Sequence, residues 1–556
     1  MYPKKQLAQL VISTCQFYEI DTVVISPGSR NAPLTIGFAN HPNIKTYSIV
    51  DERCAAFFAM GIAQQKRRSV AIVCTSGSAL LNYYPAIAEA FYSKIPLFVI
   101  SADRPKHLID VGDGQAIRQE NVFANHILYS ANLAENESEF ENNTKILSEA
   151  IRTALLKKGP IHINVPFEEP LYEVVEEIDE YINDEVLRVA KEKRAAIKSD
   201  VNYGAFADIW NKAKRKLILI GVNYPSCKLQ SVLSEYANDE SVLVMTETTS
   251  NLYDSKFVNN IDVLITPLNE ESFKALQPDV LVTLGGMVVS KRIKQFLRKY
   301  QPKHHWHIDK LDKLNTYFCL SEYVQEEPEV FLLELIAHKK KVISTYKDYW
   351  LGKENERIDS HDNFVNTVPY SDFKVFDILL KSIPNNCQLQ LSNSSVIRYT
   401  QLFKLNPTLQ VFCNRGTSGI DGSTSTAIGA ALANKEQTVF ISGDISFYYD
   451  SNALWNNYVP NNFRIIIVNN SGGGIFKIIP GPQTTNALNY FETPHSLSAE
   501  YLAKTYGFEY ESAMSIKELE IKLSNFYTDS QKPKILEIFT PSSVNDSILK
   551  KYFKNL

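Results

Sequence analysis

Short runs of apolar residues, bounded by glycine, proline or polar turns, recur along the whole chain. In the first third they fall at 22–26, 69–75, 96–101 and 160–166. Each is apolar on both faces, the pattern of a strand covered on both sides in a parallel sheet. Between them, 78–93 has helical spacing. The same texture returns at 216–222, 241–246, 262–266 and 279–286, and again at 387–392, 409–414, 438–444 and 463–470. Two polar interruptions divide the series. A charged, loosely helical stretch over 171–199 predicts a linker with a boundary near 185, and the polar segment 338–364 predicts another near 350. The expected fold is therefore α/β, with three doubly wound parallel-sheet domains at 1–185, 186–350 and 351–556. The three share a texture but no repeat of sequence.

A chain of 556 residues, 44% hydrophobic and 22% charged, is long enough for three cores and too apolar for a disordered protein. Its formal net charge of -4 gives no broad basic field, so nucleic acid is not an expected partner, and any anion must be held by individually placed arginines and lysines. The seven cysteines are scattered singly with no paired spacing, which predicts buried, reduced thiols. No run approaches the length of a membrane span, and the start MYPKKQLAQLVIS lacks a leader's apolar core and cleavage site. The expected location is the cytoplasm.

In an open parallel sheet, ligands bind beyond the carboxyl ends of the strands. The run 438–442 leads into Gly443-Asp444-Ile445-Ser446, and the next leads into Asn469-Asn470-Ser471-Gly472-Gly473-Gly474, with Asn470 standing 26 residues after Asp444. That interval allows one crossover helix, expected over 451–458, and a parallel return strand, so the two ends should be neighbours. A carboxylate (Asp444), an amide oxygen (Asn470) and a carbonyl (Gly472) would then converge as hard donors for Mg²⁺, or equally Mn²⁺. Glycines 472 to 474 would present N–H groups to phosphate.

This G-D-x…N-N arrangement resembles the motif of the thiamine diphosphate-dependent decarboxylase and synthase superfamily, with Ile445 where that motif carries a second glycine. The resemblance implies a thiamine diphosphate-binding fold, with Asp444, Asn470 and Gly472 as metal ligands and Ile445, Ser446, Gly473, Ile475 and Phe476 around the cofactor or substrate. It also implies that Glu52, on the first turn of a helix, activates the pyrimidine ring. Thr75, Ser76 and Gly77 would touch that ring, while Ser418 and Ile420 would support the cofactor's bent shape. In this superfamily the glutamate domain of one subunit meets the diphosphate domain of another. A homodimer or dimer of dimers, with active sites between subunits, is thus expected.

Further stretches, Ser26-Pro27-Gly28-Ser29-Arg30, Ser101-Ala102-Asp103-Arg104-Pro105, Gln115-Ala116-Ile117-Arg118-Gln119 and Cys413-Asn414-Arg415-Gly416, join Asn393-Ser394, Arg398 and Ser290-Lys291-Arg292. Together they resemble the synthase family of menaquinone biosynthesis that decarboxylates 2-oxoglutarate and adds the succinyl unit to isochorismate. Both substrates are dicarboxylates, and guanidinium forks bind carboxylates in bidentate fashion. The resemblance implies that Arg30, Arg104, Lys291, Arg398 and Arg415 do so, with Ser29, Gln115 and Ser394 as neutral partners. Gly114 replaces the asparagine expected before Gln115. No histidine falls in a matched motif, and none is assigned an acid or base role. Two alternatives stay open: another 2-oxoacid decarboxylase, which would release CO₂ with no acceptor, and a non-catalytic binding protein, which would have no need of Glu52.

Overall fold

The computed structural model describes residues 1–190, 201–478 and 481–556. The strands of its first unit are β1 (Tyr2–Pro3), β2 (Thr22–Ile25), β3 (Lys45–Ser48), β4 (Val70–Cys74), β5 (Leu97–Asp103), β6 (Ser130–Asn132), β7 (Ile161–Pro166) and β8 (Val174–Val175). Six of them form a parallel sheet in the order β3-β2-β4-β5-β7-β6, and β1 pairs antiparallel with β8. The middle unit has β9 (Lys216–Ile220), β10 (Val242–Thr246), β11 (Phe257–Val258), β12 (Val280–Leu284), β13 (His304–Ile308) and β14 (Glu322–Val324), ordered β11-β10-β9-β12-β13-β14. The third has β15 (Gln388–Leu391), β16 (Gln410–Cys413), β17 (Thr438–Gly443), β18 (Arg464–Asn469), β19 (Glu509–Ala513) and β20 (Lys534–Phe539), ordered β16-β15-β17-β18-β20-β19. Every residue of β4, β9 and β12 is buried, as runs apolar on both faces require.

The three sheets are parallel and doubly wound, and each reverses strand order between its first strand and the strand that returns beside it. Those points lie between β2 and β4, β9 and β12, and β15 and β17. The repeat invisible in the sequence is thus present in the topology. In the middle unit the crevice at this point is closed by backbone. Gly286 N donates to the Val222 carbonyl at 2.8 Å and Val222 N to the Met287 carbonyl at 3.2 Å. A Cβ on Gly221 would come within 2.1 Å of the Gly286 oxygen, so only glycine allows this approach.

The first and third units of one chain are locked by the crossing of helices Glu52–Lys66 and Ser423–Ala433. A Cβ on Gly61 would meet the Thr426 carbonyl oxygen at 2.1 Å, and one on Gly429 the Phe58 carbonyl oxygen at 2.0 Å. Around this contact Phe57, Phe58, Ala427, Ile428 and Ala431 are buried in one core. Asp450 terminates the short helix Asp444–Tyr449 by turning inward: it accepts from Ser425 N at 2.7 Å, Ser425 Oγ at 2.9 Å and Arg53 at 3.0 Å.

Four expectations are corrected. Residues 262–266 are not a strand: Ile261–Ile265 is a helix, because Asn260 at its start donates to the carbonyls of Gln401 and Phe403 in the third unit. An apolar run this short does not distinguish the two by period. The crossover helix expected over 451–458 begins instead at Asp444 and gives way to a 3₁₀ turn at Ser451–Leu454. Five cysteines are buried as expected, but Cys319 is half-buried and Cys227, first residue of the helix Cys227–Tyr236, is exposed. The charged stretch read as a linker includes the helix Glu180–Ala190, which contains position 185 and buries Ile182 and Val186 in the first core; 191–199 lie outside the described residues.

Candidate active site

Two clusters of sequence-selected residues form, one in the first unit and one in the third. The first gathers at the β2/β4 switch point. Glu52 opens its helix behind the cap Asp51, whose side chain accepts from Cys54 N. The Glu52 carboxylate accepts from Asn82 at 3.2 Å and lies near Cys74 and Tyr83, whose hydroxyl reaches Ser26 Oγ at 3.4 Å. Thr75 and Ser76 are buried, and their hydroxyls find no partner. Gly77, at φ +90°, donates to Gln119 Oε1 at 2.9 Å, and its α-carbon faces the Gln115 backbone so closely that a Cβ would lie 3.2 Å from it. The Ser29 loop is exposed and abuts Thr75 through Gly28. Arg104 donates to the Gly114 carbonyl at 2.9 Å. Arg30 is turned inward, donating to the Phe167 carbonyl at 2.9 Å and to Glu169 at 3.3 Å.

The second cluster surrounds a cavity of about 280 Å³ at the β15/β17 switch point. Ser394, Ile420, Asp444, Ile445, Ser446, Asn470, Gly472, Gly473, Ile475 and Phe476 all line it. β17 and β18 are adjacent and parallel, with Gly443 opposite Val468, so Asp444 and Asn470 emerge side by side. Gly472 N donates to Asp444 Oδ2 at 2.9 Å. Asn470 donates to Asp372 at 2.8 Å, which turns its Oδ1 the other way; that oxygen is buried and unpartnered. A buried amide oxygen without a donor costs about 1–3 kcal/mol. A cation beside Asp444 would satisfy it, so the donors fit a hard divalent metal. Among the described residues no group of three or more His, Cys, Asp or Glu could hold one elsewhere. Burial raises the Asp444 carboxyl and pushes Asp372 up to about 6.

One detail departs from expectation. The glycine N–H groups are not free for phosphate: Gly473 donates to the Glu492 carbonyl at 2.6 Å and Gly474 to the Gly472 carbonyl at 2.9 Å, while Gly472 serves Asp444. His495, outside every matched motif, brings Nε2 to 3.2 Å from Asp444 Oδ2, and its Nδ1 accepts from Leu497 N at 3.1 Å.

Cations gather at the junction of the middle and third units, none of them among the residues lining the cavity, and Arg415 reaches the lining residue Asn393. Arg415 is buried, donates to Asn393 Oδ1 at 2.7 Å, and leaves Nε unpartnered. Arg398 Nε is likewise unpartnered, and burial, reinforced by Arg415, lowers its pKa. From the middle unit Met287 Sδ reaches both Arg415 and Ser418, at 3.8 and 3.9 Å. Lys291, the first residue of the helix Lys291–Lys299, is exposed, whereas Lys294 is half-buried among Glu247, Arg415 and Arg398. Glu247 anchors that helix's entry, accepting from Val289 N at 2.5 Å and Ser290 N at 2.7 Å, and burial pushes it up to about 7. Glu247, Lys294, Met287, Asp372 and His495 carry no motif signal in the sequence.

Every residue lining the cavity belongs to the third unit. Among the described residues no hydrogen bond or ion pair joins Glu52, the 75–77 turn or Gln115 to the Asp444 and Asn470 loops. Within one chain the residues of the first unit and those of the third therefore form two separate groups, with no hydrogen bond between them among the described residues.

Comparison with known proteins matches three families along the chain. "Thiamine pyrophosphate enzyme, N-terminal TPP binding domain" covers residues 5–126, "Middle domain of thiamine pyrophosphate" 208–389, and "Thiamine pyrophosphate enzyme, C-terminal TPP binding domain" 394–538. A protein of Flavobacterium psychrophilum is 56% identical over all of both chains, and one of Flavobacterium johnsoniae is 54% identical over the same extent. One from Bacteroides fragilis is 36% identical over 100% of this chain and 99% of its own. All three are named 2-succinyl-5-enolpyruvyl-6-hydroxy-3-cyclohexene-1-carboxylate synthase.

Proposed function

The chain belongs to the thiamine diphosphate enzymes, in the family of 2-succinyl-5-enolpyruvyl-6-hydroxy-3-cyclohexene-1-carboxylate synthases, and from that we propose how its residues share the work. It catalyses the thiamine diphosphate-dependent decarboxylation of 2-oxoglutarate and addition of the succinyl unit to isochorismate, a transferase step of menaquinone biosynthesis. The cofactor, when bound, supplies the carbon nucleophile and the electron sink.

The residues at hand fit that cofactor. Asp444, Asn470 Oδ1 and the Gly472 carbonyl would hold Mg²⁺ or Mn²⁺, and the unpartnered Asn470 oxygen is the observation that carries this reading. Glu52 would hold a proton at the pyrimidine nitrogen, with the Thr75 and Ser76 hydroxyls and the Gly77 turn around that ring. Ile420, Ile445 and Ser446 would shape the cofactor's seat, with Ser418 set back from its wall beside Met287, and Ile475, Phe476 and Gly473 would exclude water beside it. Arg398 and Arg415, each with a buried and unpartnered Nε, would clamp substrate carboxylates. Arg104, Lys291, Ser29, Gln115 and Ser394 would complete the polar wall, and Arg30 would act through the loop it pins to Phe167 and Glu169.

Two half sites on one chain call for a second copy, so the working enzyme is a homodimer or dimer of dimers. The exposed apolar side chains of Val50 and Leu81 beside Glu52, and of Trp455 and Phe491 near the diphosphate half, support a partner covering both. Among the described residues no helix is long and apolar enough to cross a membrane. The test supplies purified protein with Mg²⁺, thiamine diphosphate, 2-oxoglutarate and isochorismate and follows loss of isochorismate. No consumption, or a Glu52→Gln variant that turns over like the parent, would refute the reading.

A further inference from the structure

Glu89 stands outside every motif and outside both half sites, yet it is 1% exposed, and the hydrogen bonds it accepts come from backbone N–H groups and hydroxyls, not from a cation. It lies on the helix Tyr84–Ser93 of the first unit and reaches into the third. Its Oε1 accepts from Gly416 N at 2.6 Å and from Ser93 Oγ at 2.7 Å. Its Oε2 accepts from Thr417 N at 2.7 Å, Thr417 Oγ1 at 2.8 Å and Ser418 N at 3.3 Å. Three successive backbone N–H groups thus wrap one carboxylate, the concave arrangement that otherwise receives an external anion. Ser418 holds φ +63° to complete it. Gly416 presses on the same helix so tightly that a Cβ there would lie 2.4 Å from the Glu89 carbonyl oxygen.

We propose that Glu89 is a positioning residue for the reaction: by fixing the N–H groups of 416–418 it aims Arg415, the preceding residue, at a substrate carboxylate. This rests on the reading of Arg415 given above. The loop has other anchors on its cofactor side, where Ser446 Oγ donates to the Ile420 carbonyl at 3.2 Å and Asn393 to the Gly419 carbonyl at 2.7 Å. Arg415 itself is held by Asn393 Oδ1 and brushes Met287. Loss of the carboxylate therefore falls on residues 416–418 next to Arg415, while Gly419 and Ile420 keep their own anchors, so the cofactor's seat is touched only through the longest of the bonds, that from Ser418. A glutamine cannot substitute, because its amide N–H₂ would face backbone N–H donors in place of an acceptor.

The experiment measures kcat, both substrate KM values and thiamine diphosphate affinity for the parent, Glu89→Gln, Arg415→Ala and the double variant. A charged hydrogen bond of this kind corresponds to on the order of tenfold. The expected result is a KM for 2-oxoglutarate or isochorismate raised roughly tenfold in Glu89→Gln, cofactor affinity within about twofold of the parent, and no further rise when Glu89→Gln is added to Arg415→Ala. If Arg415→Ala raises a KM and Glu89→Gln does not, the proposal is overturned while the reading of Arg415 stands. If Arg415→Ala leaves both KM values unchanged, that reading fails first. Equal loss of cofactor affinity and activity with unchanged KM would mean a purely structural role and also overturn it. Should Glu89→Gln not fold, Thr417→Val removes one donor and leaves the carboxylate in place; a KM rise of about two- to fivefold is then required.

Discussion

If each active site takes Glu52 from one chain and the metal loop from another, two inactive variants should restore each other. Consider Glu52→Gln, which removes the carboxylate beside Asn82 in the first unit, and Asn470→Ala, which removes the unpartnered amide oxygen in the third. Each homodimer carries its lesion in both sites and should lose activity by about 100-fold or more. In a mixed dimer the lesions fall together: one site has the altered Glu52 and the altered Asn470, and the other has neither. A purified mixed dimer should thus show about half of the parent's activity, and a randomly assorted mixture, in which half of the dimers are mixed, about a quarter. The assay co-expresses the two chains with different affinity tags, isolates doubly tagged protein and follows isochorismate loss. A folded, doubly tagged dimer no more active than its parents would refute the two-half-site argument and place Glu52 against the metal loop of its own chain.

Glu247 offers a pH test. Burial raises its carboxyl to about 7 from an ordinary value near 4.5, so between those values the folded state binds the extra proton and its stabilising contribution declines as pH rises. Relative to Glu247→Gln, the parent should lose on the order of 3 kcal/mol of stability to denaturant between pH 4.5 and 7. A flat or opposite difference would contradict this. Gly429→Ala must push apart a pair of helices whose backbones already touch, and should lower stability by about 1–3 kcal/mol, read as a drop in Tm. An unchanged Tm would show that the crossing relaxes freely. A thiol reagent under native conditions should modify Cys227 rapidly and leave the thiols of Cys15, Cys54 and Cys74, all pushed far up by burial, untouched until the chain unfolds.

The strands were readable because a parallel sheet buried on both faces demands unbroken apolar runs, and 70–74 or 216–220 have no other plausible home. The side-by-side placement of Asp444 and Asn470 was readable for a related reason, since both sit directly at the ends of two such runs. The reading failed where distant partners decide. Ile261–Ile265 is as β-branched as any strand, yet contacts from Asn260 to the third unit make it a helix. The glycines of 472–474 do bring backbones close, but their N–H groups serve Asp444 and the 492 carbonyl, a partner 19 residues beyond Gly473. Glu89, Glu247 and His495 gain their roles only from residues brought near by folding, and no local pattern marks them.

The closed crevice of the middle sheet has a consequence for engineering. A doubly wound sheet ordinarily keeps this place open for a nucleotide or similar guest, but here the Gly286–Val222 and Val222–Met287 pairs sew it shut and carry Met287 toward Arg415 and Ser418. A small-molecule control element grafted there would have to unpick the seam that presents Met287. With Arg415 in the substrate-binding role proposed above, such a guest would pull Met287 away from it, which makes the seam a place to build an off switch and a poor one for an activator.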